Sequence, residues 1–202
     1  MKLLIAIPSV RPVEMQFVTS IIPCLMTFST KEKNVEYSLY SPQTYCIGES
    51  RNSIVRMAID GNYDYIFWVD SDIMLPMYAL SKLMESGEDI ISGVYAYKLV
   101  PVDRVVAKRY NENNDGYHDL TVKDLYNGVV EVDGIGFGCV LTKTDVFRHI
   151  NYPYFEYRDE RGEDIFFCQK AQEVGYKIHL DTDVICEHIG IVKFDIPEKE
   201  EK

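Results

Sequence analysis

Two aspartates separated by one serine, Asp70-Ser71-Asp72, directly follow an apolar run at 65–69. Carboxylates this close repel each other unless a cation lies between them. Three interpretations compete: a loop aspartate that caps a helix, a metal hydrolase site, and a hard divalent cation shared with the phosphates of a substrate. A buried strand that delivers two acids to its own end favours the metal interpretations, although D-x-D alone is a weak motif.

A second acidic pair, Glu163-Asp164, follows Gly162 at the predicted start of a helix. The helix dipole favours acids in a first turn, so helix capping explains part of the pattern. A carboxylate held at a helix start near a ligand is also well placed to act as a general base. Capping and catalysis are both open interpretations of this pair.

His188 lies in the segment C-E-H-I-G, after the last predicted strand. A histidine packed in the core is the usual case, but this one lies between a strand end and a glycine. An imidazole added to carboxylates shifts metal preference from strict Mg²⁺ towards Mn²⁺-like ions. The other histidines have no carboxylate pattern around them and are interpreted as surface or core residues: His118, His149 and His179.

The glycine-rich segment G-I-G-F-G at 134–138 is not a dinucleotide-binding fingerprint, because it neither follows the first strand nor opens a long helix. The first loop, P-S-V-R-P at 8–12, contains no glycine. That argues against a Rossmann cofactor, a P-loop and a sugar-nucleotide pyrophosphorylase. The glycines at 134, 136 and 138 either form turns or allow close approach of the backbone to a ligand.

Strands and helices alternate through the first 93 residues, and these elements must position the polar side chains. Strands are predicted at 2–7, 35–39, 65–69 and 89–92. The first helix is expected to begin at Pro12 and to be kinked or interrupted at Pro23; the second contains Ile54 and the third covers 76–85. This order predicts an open parallel α/β sheet with right-handed crossovers, which binds ligands at the carboxyl ends of its strands.

A mixed pattern follows Gly93. Strands are predicted at 102–110, 116–122, 129–132, 137–141, 177–180 and 184–186, and helices at 143–150 and 163–174. Asn114-Asp115-Gly116 predicts a turn between the first two of these strands. We expect one domain over 1–192, with a nucleotide-binding half at 1–93 and an acceptor and catalytic half at 94–192. The charged tail, 193–202, is expected to fray and is compatible with the edge of a longer protein.

Composition restricts the class of protein. The chain has 202 residues, 47% of them hydrophobic, and its 32 acidic and 21 basic residues give a net charge of −11. This charge argues against nucleic acid or an anionic membrane as the main partner. Five cysteines without a CxxC pair predict reduced, mostly buried thiols. No apolar run approaches the ~18 residues of a membrane span, and the N-terminal run is too short for a signal peptide, so a cytoplasmic protein is expected.

The order of these motifs resembles that of the GT-A-fold glycosyltransferases, particularly glycosyltransferase family 2. The matching segments are P-S at 8–9, R-N at 51–52, D-S-D at 70–72, G-I-G-F-G-C at 134–139, G-E-D at 162–164 and E-H at 187–188. The resemblance covers roughly residues 2–192, and the combination is more specific than any single motif. It implies a GT-A fold of the α/β class, with a mostly parallel central sheet and a smaller mixed β part.

The resemblance also implies roles for individual residues. Asp70, Asp72 and His188 would form the site for Mn²⁺ or Mg²⁺, and Asp164 would be the general base, with Glu163 supporting it or contacting the acceptor. The nucleotide-sugar donor would contact a further set: Pro8, Ser9, Arg11, Arg51, Asp70, Ser71, Gly136, Phe137 and Gly138.

The function that these roles imply is transfer of a sugar from a nucleoside-diphosphate sugar to a glycan or other acceptor hydroxyl, with inversion. A UDP-sugar is favoured, but the second strand lacks the acidic residue with which many family members recognise uracil. The alternatives are a retaining enzyme of the same fold, a non-catalytic nucleotide-sugar or glycan-binding domain, and a metal phosphohydrolase.

Overall fold

The computed structural model describes residues 1–9, 13–42, 44–111, 116–125, 128–158 and 162–190. The strands are Lys2–Ala6 (β1), Glu36–Tyr40 (β2), Tyr65–Val69 (β3), Ile73–Met74 (β4), Ile90–Val94 (β5), Arg104–Asn111 (β6), Gly116–Thr121 (β7), Val129–Val132 (β8), Gly134–Ile135 (β9), Cys139–Lys143 (β10), Ile178–Ile185 (β11) and Glu187–His188 (β12). The helices are Met15–Lys31 (α1), Ile47–Asp60 (α2), Ala79–Glu85 (α3), Val146–His149 (α4) and Glu163–Glu173 (α5).

A central sheet of seven described strands has the order β2-β1-β3-β10-β5-β11-β8. Strand β1 is parallel to β2 and β3, and β5 is parallel to β11. Strand β10 lies antiparallel between β3 and β5, and β8 lies antiparallel to β11 at the edge. Smaller sheets join β7-β6-β9 and β12-β4. The predicted α/β class, with a mostly parallel sheet and a smaller mixed β part, is confirmed.

Strand β3 shows why the sheet is buried on both faces. Its side chains alternate between the faces, as in any strand. Ile66 and Trp68 pack into the core on the side of α2, α4 and α5, whereas Phe67 and Val69 pack into the core on the side of α1 and α3. All four are fully buried, which explains why the run reads as continuously apolar.

The first helix differs from its prediction. Pro12 lies outside the described residues, α1 begins at Met15, and Val13 is exposed ahead of it. Pro23 lies inside α1, which continues unbroken to Lys31. A proline removes one backbone hydrogen bond, but core contacts of neighbouring residues hold a long amphipathic helix on both sides of it. Those contacts are made by Phe17, Ile21, Cys24 and Phe28.

Other element boundaries also shift. Helix α3 begins at Ala79 rather than at residue 76, and the strand predicted at 137–141 is observed as β10, beginning at Cys139. The two short strands predicted at 177–180 and 184–186 are one continuous strand, β11. Its Asp181-Thr182-Asp183 segment resembles a turn in sequence, and Asp181 accepts the Asp183 backbone N–H at 3.0 Å, as in an Asx-turn. The strand nevertheless continues through this segment, with a register irregularity between Asp181 and Ile185. The predicted turn at 114–116 and the tail at 193–202 fall wholly or partly outside the described residues.

The thiols agree with a further expectation. All five cysteines are free, and Cys24, Cys139, Cys168 and Cys186 are buried. Over the described ranges, none of the helices combines the length and apolar character that crossing a bilayer requires.

Two buried threonines near the end of β10 allow a matched test of the core. Trp68 donates its indole N–H to Thr142 Oγ1 at 2.9 Å, whereas Thr144 Oγ1 is buried without a hydrogen-bond partner among the described residues. We expect Thr142→Val to lower the free energy of unfolding by about 1–3 kcal/mol, because it leaves the indole N–H unsatisfied. Urea denaturation followed by circular dichroism measures this loss.

Thr144→Val is the control for that experiment. It removes a hydroxyl that makes no hydrogen bond, so the free energy of unfolding should not fall. Equal losses in the two variants would contradict the assigned Trp68–Thr142 bond.

Candidate functional site

The carboxyl ends of β1 and β3 meet at one edge of the sheet. Pro8 and Ser9 follow β1 and are buried, and the Ser9 hydroxyl lies 3.4 Å from that of Ser71. Asp70 follows β3 directly and donates its backbone N–H to the Gly138 carbonyl at 3.0 Å. The structure therefore brings Ser9, Ser71 and Asp70 together, while Arg11 lies outside the described residues.

Arg51 lies behind this edge as a buried cation between two acids. Helix α2 carries it, its side chain is 4% exposed, and one guanidinium nitrogen lies 3.1 and 3.3 Å from the two Asp70 carboxylate oxygens. The other terminal nitrogen hydrogen-bonds Glu163 at the start of α5. Arg51 was expected to lie near the nucleotide; the structure places it beneath the surface, where it positions Asp70 and Glu163.

The charges of this cluster are unevenly balanced, because one guanidinium serves several carboxylates. Burial disfavours a charged Arg51, but Asp70 and Glu163 outweigh that effect and raise the arginine pKa. Burial raises the pKa of Asp70 to about 6, with Arg51 opposing and the nearby Asp72 charge adding to the rise. Asp70 is thus less firmly ionised than an exposed aspartate.

Asp72 is directed to the other side of the loop, towards His188. Strands β4 and β12 form a short antiparallel ladder in which His188 pairs with Ile73, and the Ile189 backbone N–H donates to the Asp72 carbonyl at 2.7 Å. The ladder holds Asp72 Oδ1 3.7 Å from His188 Nε2. Residues 116 positions apart are therefore adjacent because of backbone pairing, which fixes their separation better than side-chain contact alone.

A backbone carbonyl orients the His188 ring. Nδ1 lies 2.8 Å from the Ala96 carbonyl oxygen, which only accepts, so Nδ1 carries a proton and Nε2 is the ring nitrogen that faces Asp72. Tyr95 packs edge-on against the imidazole with ring centroids 5.4 Å apart. Donation of one ring nitrogen to a backbone carbonyl, which fixes the orientation of the ring, is typical of metal-binding histidines.

Lys98 is the nearest positive charge to Asp72. It follows β5, and its Nζ lies 2.5 Å from Asp72 Oδ2. Burial alone would raise the pKa of Asp72, but His188 and Lys98 more than offset it and lower the pKa to about 2. Of the two aspartates in D-S-D, Asp72 is therefore the firmly ionised one and the better ligand for a cation.

These residues fit a divalent cation that is coordinated partly by the protein and partly by a substrate. They do not form a site that encloses the cation with protein ligands alone. Within the described ranges, no group of three or more His, Cys, Asp or Glu side chains converges on one point. Asp72 and His188 lie together, while Asp70 is directed to Arg51. Mg²⁺ and similar ions commonly use one or two protein ligands and complete their coordination with substrate phosphates and water, and this pair supplies that number.

The glycine-rich segment is packed against a tyrosine. A Cβ atom at Gly136 would lie 2.2 Å from the Tyr95 hydroxyl, and one at Gly138 would lie 2.9 Å from it. The Gly138 backbone N–H donates to the same hydroxyl at 3.0 Å. Glycine is needed here because Tyr95 approaches the backbone closely, an alternative to the expected approach of a ligand.

Phe137 was expected to flank a donor sugar, but its ring is 1% exposed. It packs in the core against Trp68, Phe155 and Phe167, with ring centroids 4.9–5.4 Å apart. The Arg51 guanidinium lies 5.4 Å from its centroid. The structure thus assigns Phe137 to the support of Arg51 rather than to ligand contact.

Glu163 and Asp164 begin α5 and have different surroundings. Glu163 is buried on Arg51, which supports the start of the helix. Asp164 is only partly covered; its Oδ1 accepts the Ile165 backbone N–H at 2.8 Å, and it lines a cavity of about 660 Å³. Burial and the Glu163 charge raise the pKa of Asp164, with Arg51 opposing. A carboxylate that is partly accessible and more basic than usual suits proton abstraction.

Several residues at this site have no local motif in the sequence. Tyr95 and Lys98 follow β5. Because ligands gather at the carboxyl ends of strands, their position after a predicted strand is the sequence signal that could identify them. Asn52 is the second residue of the R-N motif at 51–52, which predicts no role for it. It is buried, donates to the Phe155 carbonyl at 2.7 Å and accepts the backbone N–H groups of Tyr154 and Phe155 at 2.9 and 3.1 Å. It thereby fixes the loop that covers Arg51.

No protein-family model and no curated protein sequence matches the chain. Solved structures do. The crystal structure of A197 from STIV has a TM-score of 0.63 and 18% identity, covering 100% of this chain and 97% of that chain. The crystal structure of GalNAc-T7 with UDP, GalNAc and Mn²⁺ has a TM-score of 0.61 and 10% identity, covering 94% of this chain and 44% of that chain. The chain has a GT-A fold. At these identities the likeness shows the fold alone.

The buried position of Arg51 makes a strong prediction for stability. Arg51→Met leaves Asp70 and Glu163 without their shared cation, and loss of one partner from a buried ion pair costs about 3–5 kcal/mol. We expect that decrease in the free energy of unfolding. Urea denaturation can be followed by the fluorescence of Trp68, the single tryptophan and fully buried.

Arg56→Met on the same helix is the matched control, because Arg56 is exposed. Its effect should stay within about 0.5 kcal/mol. Similar unfolding midpoints for Arg51→Met and Arg56→Met would show that Arg51 does not hold the cluster.

Proposed function

We propose that this protein is a metal-dependent glycosyltransferase that moves a sugar from a UDP-sugar to an acceptor hydroxyl with inversion. The observation that carries the proposal is the β4–β12 ladder. It places an ionised aspartate 3.7 Å from Nε2 of an oriented histidine, at the ligand edge of a GT-A fold. Net charge −11 is a further reason, because an acidic protein needs placed cations to hold a diphosphate.

The nucleoside end of the donor binds where β1 and β3 end. Ser9 and Ser71 offer hydroxyl groups there, and the adjacent Asp70 is held by Arg51 within reach of a ribose. Arg11 is proposed to contact the same nucleoside from the segment outside the described residues. The GalNAc-T7 crystal structure contains UDP, GalNAc and Mn²⁺, which supports the choice of UDP over other nucleotides.

Asp72 and His188 are the proposed ligands for Mn²⁺ or Mg²⁺. When bound, the ion neutralises negative charge that grows on the diphosphate as the glycosidic bond breaks. Lys98 adds a second positive charge at the same place, since its ammonium group already lies against Asp72. In the donor complex Lys98 is free to pair with a phosphate oxygen while Asp72 serves as a metal ligand.

Asp164 is the proposed general base. Its Oδ2 takes the proton of the acceptor hydroxyl, because Oδ1 is occupied by the Ile165 N–H. The acceptor oxygen then bonds the anomeric carbon while the bond from that carbon to the diphosphate oxygen breaks, and UDP leaves with the bonding electrons. Attack opposite the leaving group inverts the anomeric centre. Glu163 takes no proton; buried on Arg51, it positions the helix start that carries Asp164.

The metal site can be tested by binding alone. Calorimetry should detect UDP binding in the presence of Mn²⁺ and lose it in EDTA. Asp72→Asn and His188→Ala should each weaken Mn²⁺-dependent binding of UDP by at least about 10- to 100-fold, the loss that removal of a mere outer-shell partner of a metal ligand causes.

His149→Ala is the control, because His149 is exposed and lies 2.7 Å from the Tyr176 hydroxyl, away from the site. It should bind UDP as the unaltered protein does. Equal UDP affinity with Mn²⁺ and with EDTA would remove the metal from the proposal.

The base can be tested separately from donor binding. Asp164→Asn should leave the affinity for UDP and Mn²⁺ unchanged and reduce transfer by about 10²- to 10⁴-fold. Product formation across a panel of UDP-sugars and acceptors measures the transfer rate.

Glu173→Gln, near the other end of α5, is the control for loss of a carboxylate from this helix. It should retain full transfer activity. An Asp164→Asn variant with undiminished transfer would exclude Asp164 as the base and reopen the alternative of a retaining enzyme.

A further inference from the structure

The cavity lined by Asp164 lies between the β6–β7 hairpin and the start of α5. Its volume of about 660 Å³ falls within the range of small-molecule sites, about 300–1,000 Å³. Gly136 and Gly162 also line it, so the cavity adjoins both the glycine-rich segment and the helix start of the candidate site. A molecule bound here has direct access to Asp164.

Tyrosines dominate the outer part of this cavity. Tyr97, Tyr110 and Tyr117 line it, and the rings of Tyr110 and Tyr117 pack edge-to-face with centroids 5.3 Å apart. Tyr110 is 50% exposed although it lines a cavity. A tyrosine ring offers an apolar face and a polar hydroxyl. A sugar ring has the same combination, with a C–H face and hydroxyl groups at its edge.

The charges of the lining argue against an anionic ligand. Lys108 is the one basic side chain among the described lining residues, and it already pairs with Asp119. Asp119 also accepts the Tyr97 hydroxyl at 2.9 Å and lies 3.2 Å from an Arg104 nitrogen. Burial would raise the pKa of Asp119, but the bonds from Lys108 and Tyr97 lower it, so its charge offsets Lys108. Asp164 then leaves the lining neutral to acidic.

We propose that this cavity binds the acceptor and that the acceptor is a neutral carbohydrate. One face of its sugar ring packs on the exposed ring of Tyr110, which Tyr117 supports edge-on, and a hydroxyl group reaches Asp164. This assignment rests on the proposed transferase function for its role in catalysis, but the binding itself does not require a donor. A hydroxyl-bearing peptide is the competing class, and the experiment distinguishes the two.

Saturation-transfer NMR on the full chain tests the binding. The aromatic protons are saturated, and transfer is measured to methyl glycosides of glucose, galactose, mannose and N-acetylglucosamine, to methyl glucuronide, and to an uncharged peptide containing serine and threonine. Each sample is measured with and without UDP and Mn²⁺. We expect saturation transfer to at least one neutral glycoside, and weaker saturation transfer to the glucuronide and the peptide.

Variants then locate the site. Tyr110→Ala and Tyr117→Ala should each weaken binding of that glycoside by about tenfold, the upper range for one aromatic contact. Tyr110→Phe should restore binding because it keeps the ring. The control is Tyr152→Ala, which removes another exposed tyrosine packed edge-on against a second one, Tyr154, with centroids 5.9 Å apart. It should bind the glycoside normally.

Three results would overturn the proposal. They are the absence of saturation transfer to any neutral glycoside, stronger saturation transfer to the peptide than to the neutral glycosides, and equal losses of glycoside binding in Tyr110→Ala and Tyr152→Ala. Failure of the transferase function is a separate result. If UDP does not bind but binding of a neutral glycoside still depends on Tyr110, the carbohydrate site is supported and the transferase function is not. If a donor is turned over, Tyr110→Ala should raise the acceptor KM by about tenfold.

Discussion

The Arg51 guanidinium lies buried between Asp70 and Glu163. Asp70 follows β3, and Glu163 begins α5, 112 residues after the arginine. An uncompensated charge at this depth is costly, so the three side chains are strongly constrained to meet. Their meeting joins the end of the central sheet to the helix that carries Asp164. The phenylalanine rings of Phe137 and Phe155 enclose the guanidinium at 5.4 and 5.9 Å and exclude water from it. The proposed donor and acceptor sites therefore share one buried support.

The two aspartates of D-S-D have different surroundings, because Arg51 holds only Asp70. Asp70 is held by Arg51, and burial raises its pKa to about 6; Asp72 faces His188 and Lys98, which lower its pKa to about 2. Pairs of carboxylates whose surroundings move their pKa values apart commonly divide their tasks. Here Arg51 holds Asp70, and Asp72 is the aspartate that we propose as a cation ligand.

The fold class and the strand ends could be predicted because buried parallel strands read as continuous apolar runs, and β3 appears with its predicted bounds. The placement of Asp72 beside His188 could be expected only from the order of motifs, since the β4–β12 ladder consists of two-residue strands that have no periodicity to detect. The burial of Arg51 and Phe137, and the use of Gly136 and Gly138 by Tyr95, depend on contacts between distant segments. Local patterns hold no information on those contacts.

Electron spin-echo spectroscopy of bound Mn²⁺ tests the central claim most directly, because it identifies the nuclei beside the metal. With UDP present, the account predicts ¹⁴N coupling from His188 together with ³¹P coupling from the diphosphate on the same ion. His188→Gln should remove the ¹⁴N coupling and leave the ³¹P coupling. A Mn²⁺ signal that shows ³¹P coupling but no ¹⁴N coupling in the unaltered protein would contradict the assignment of His188 as a ligand.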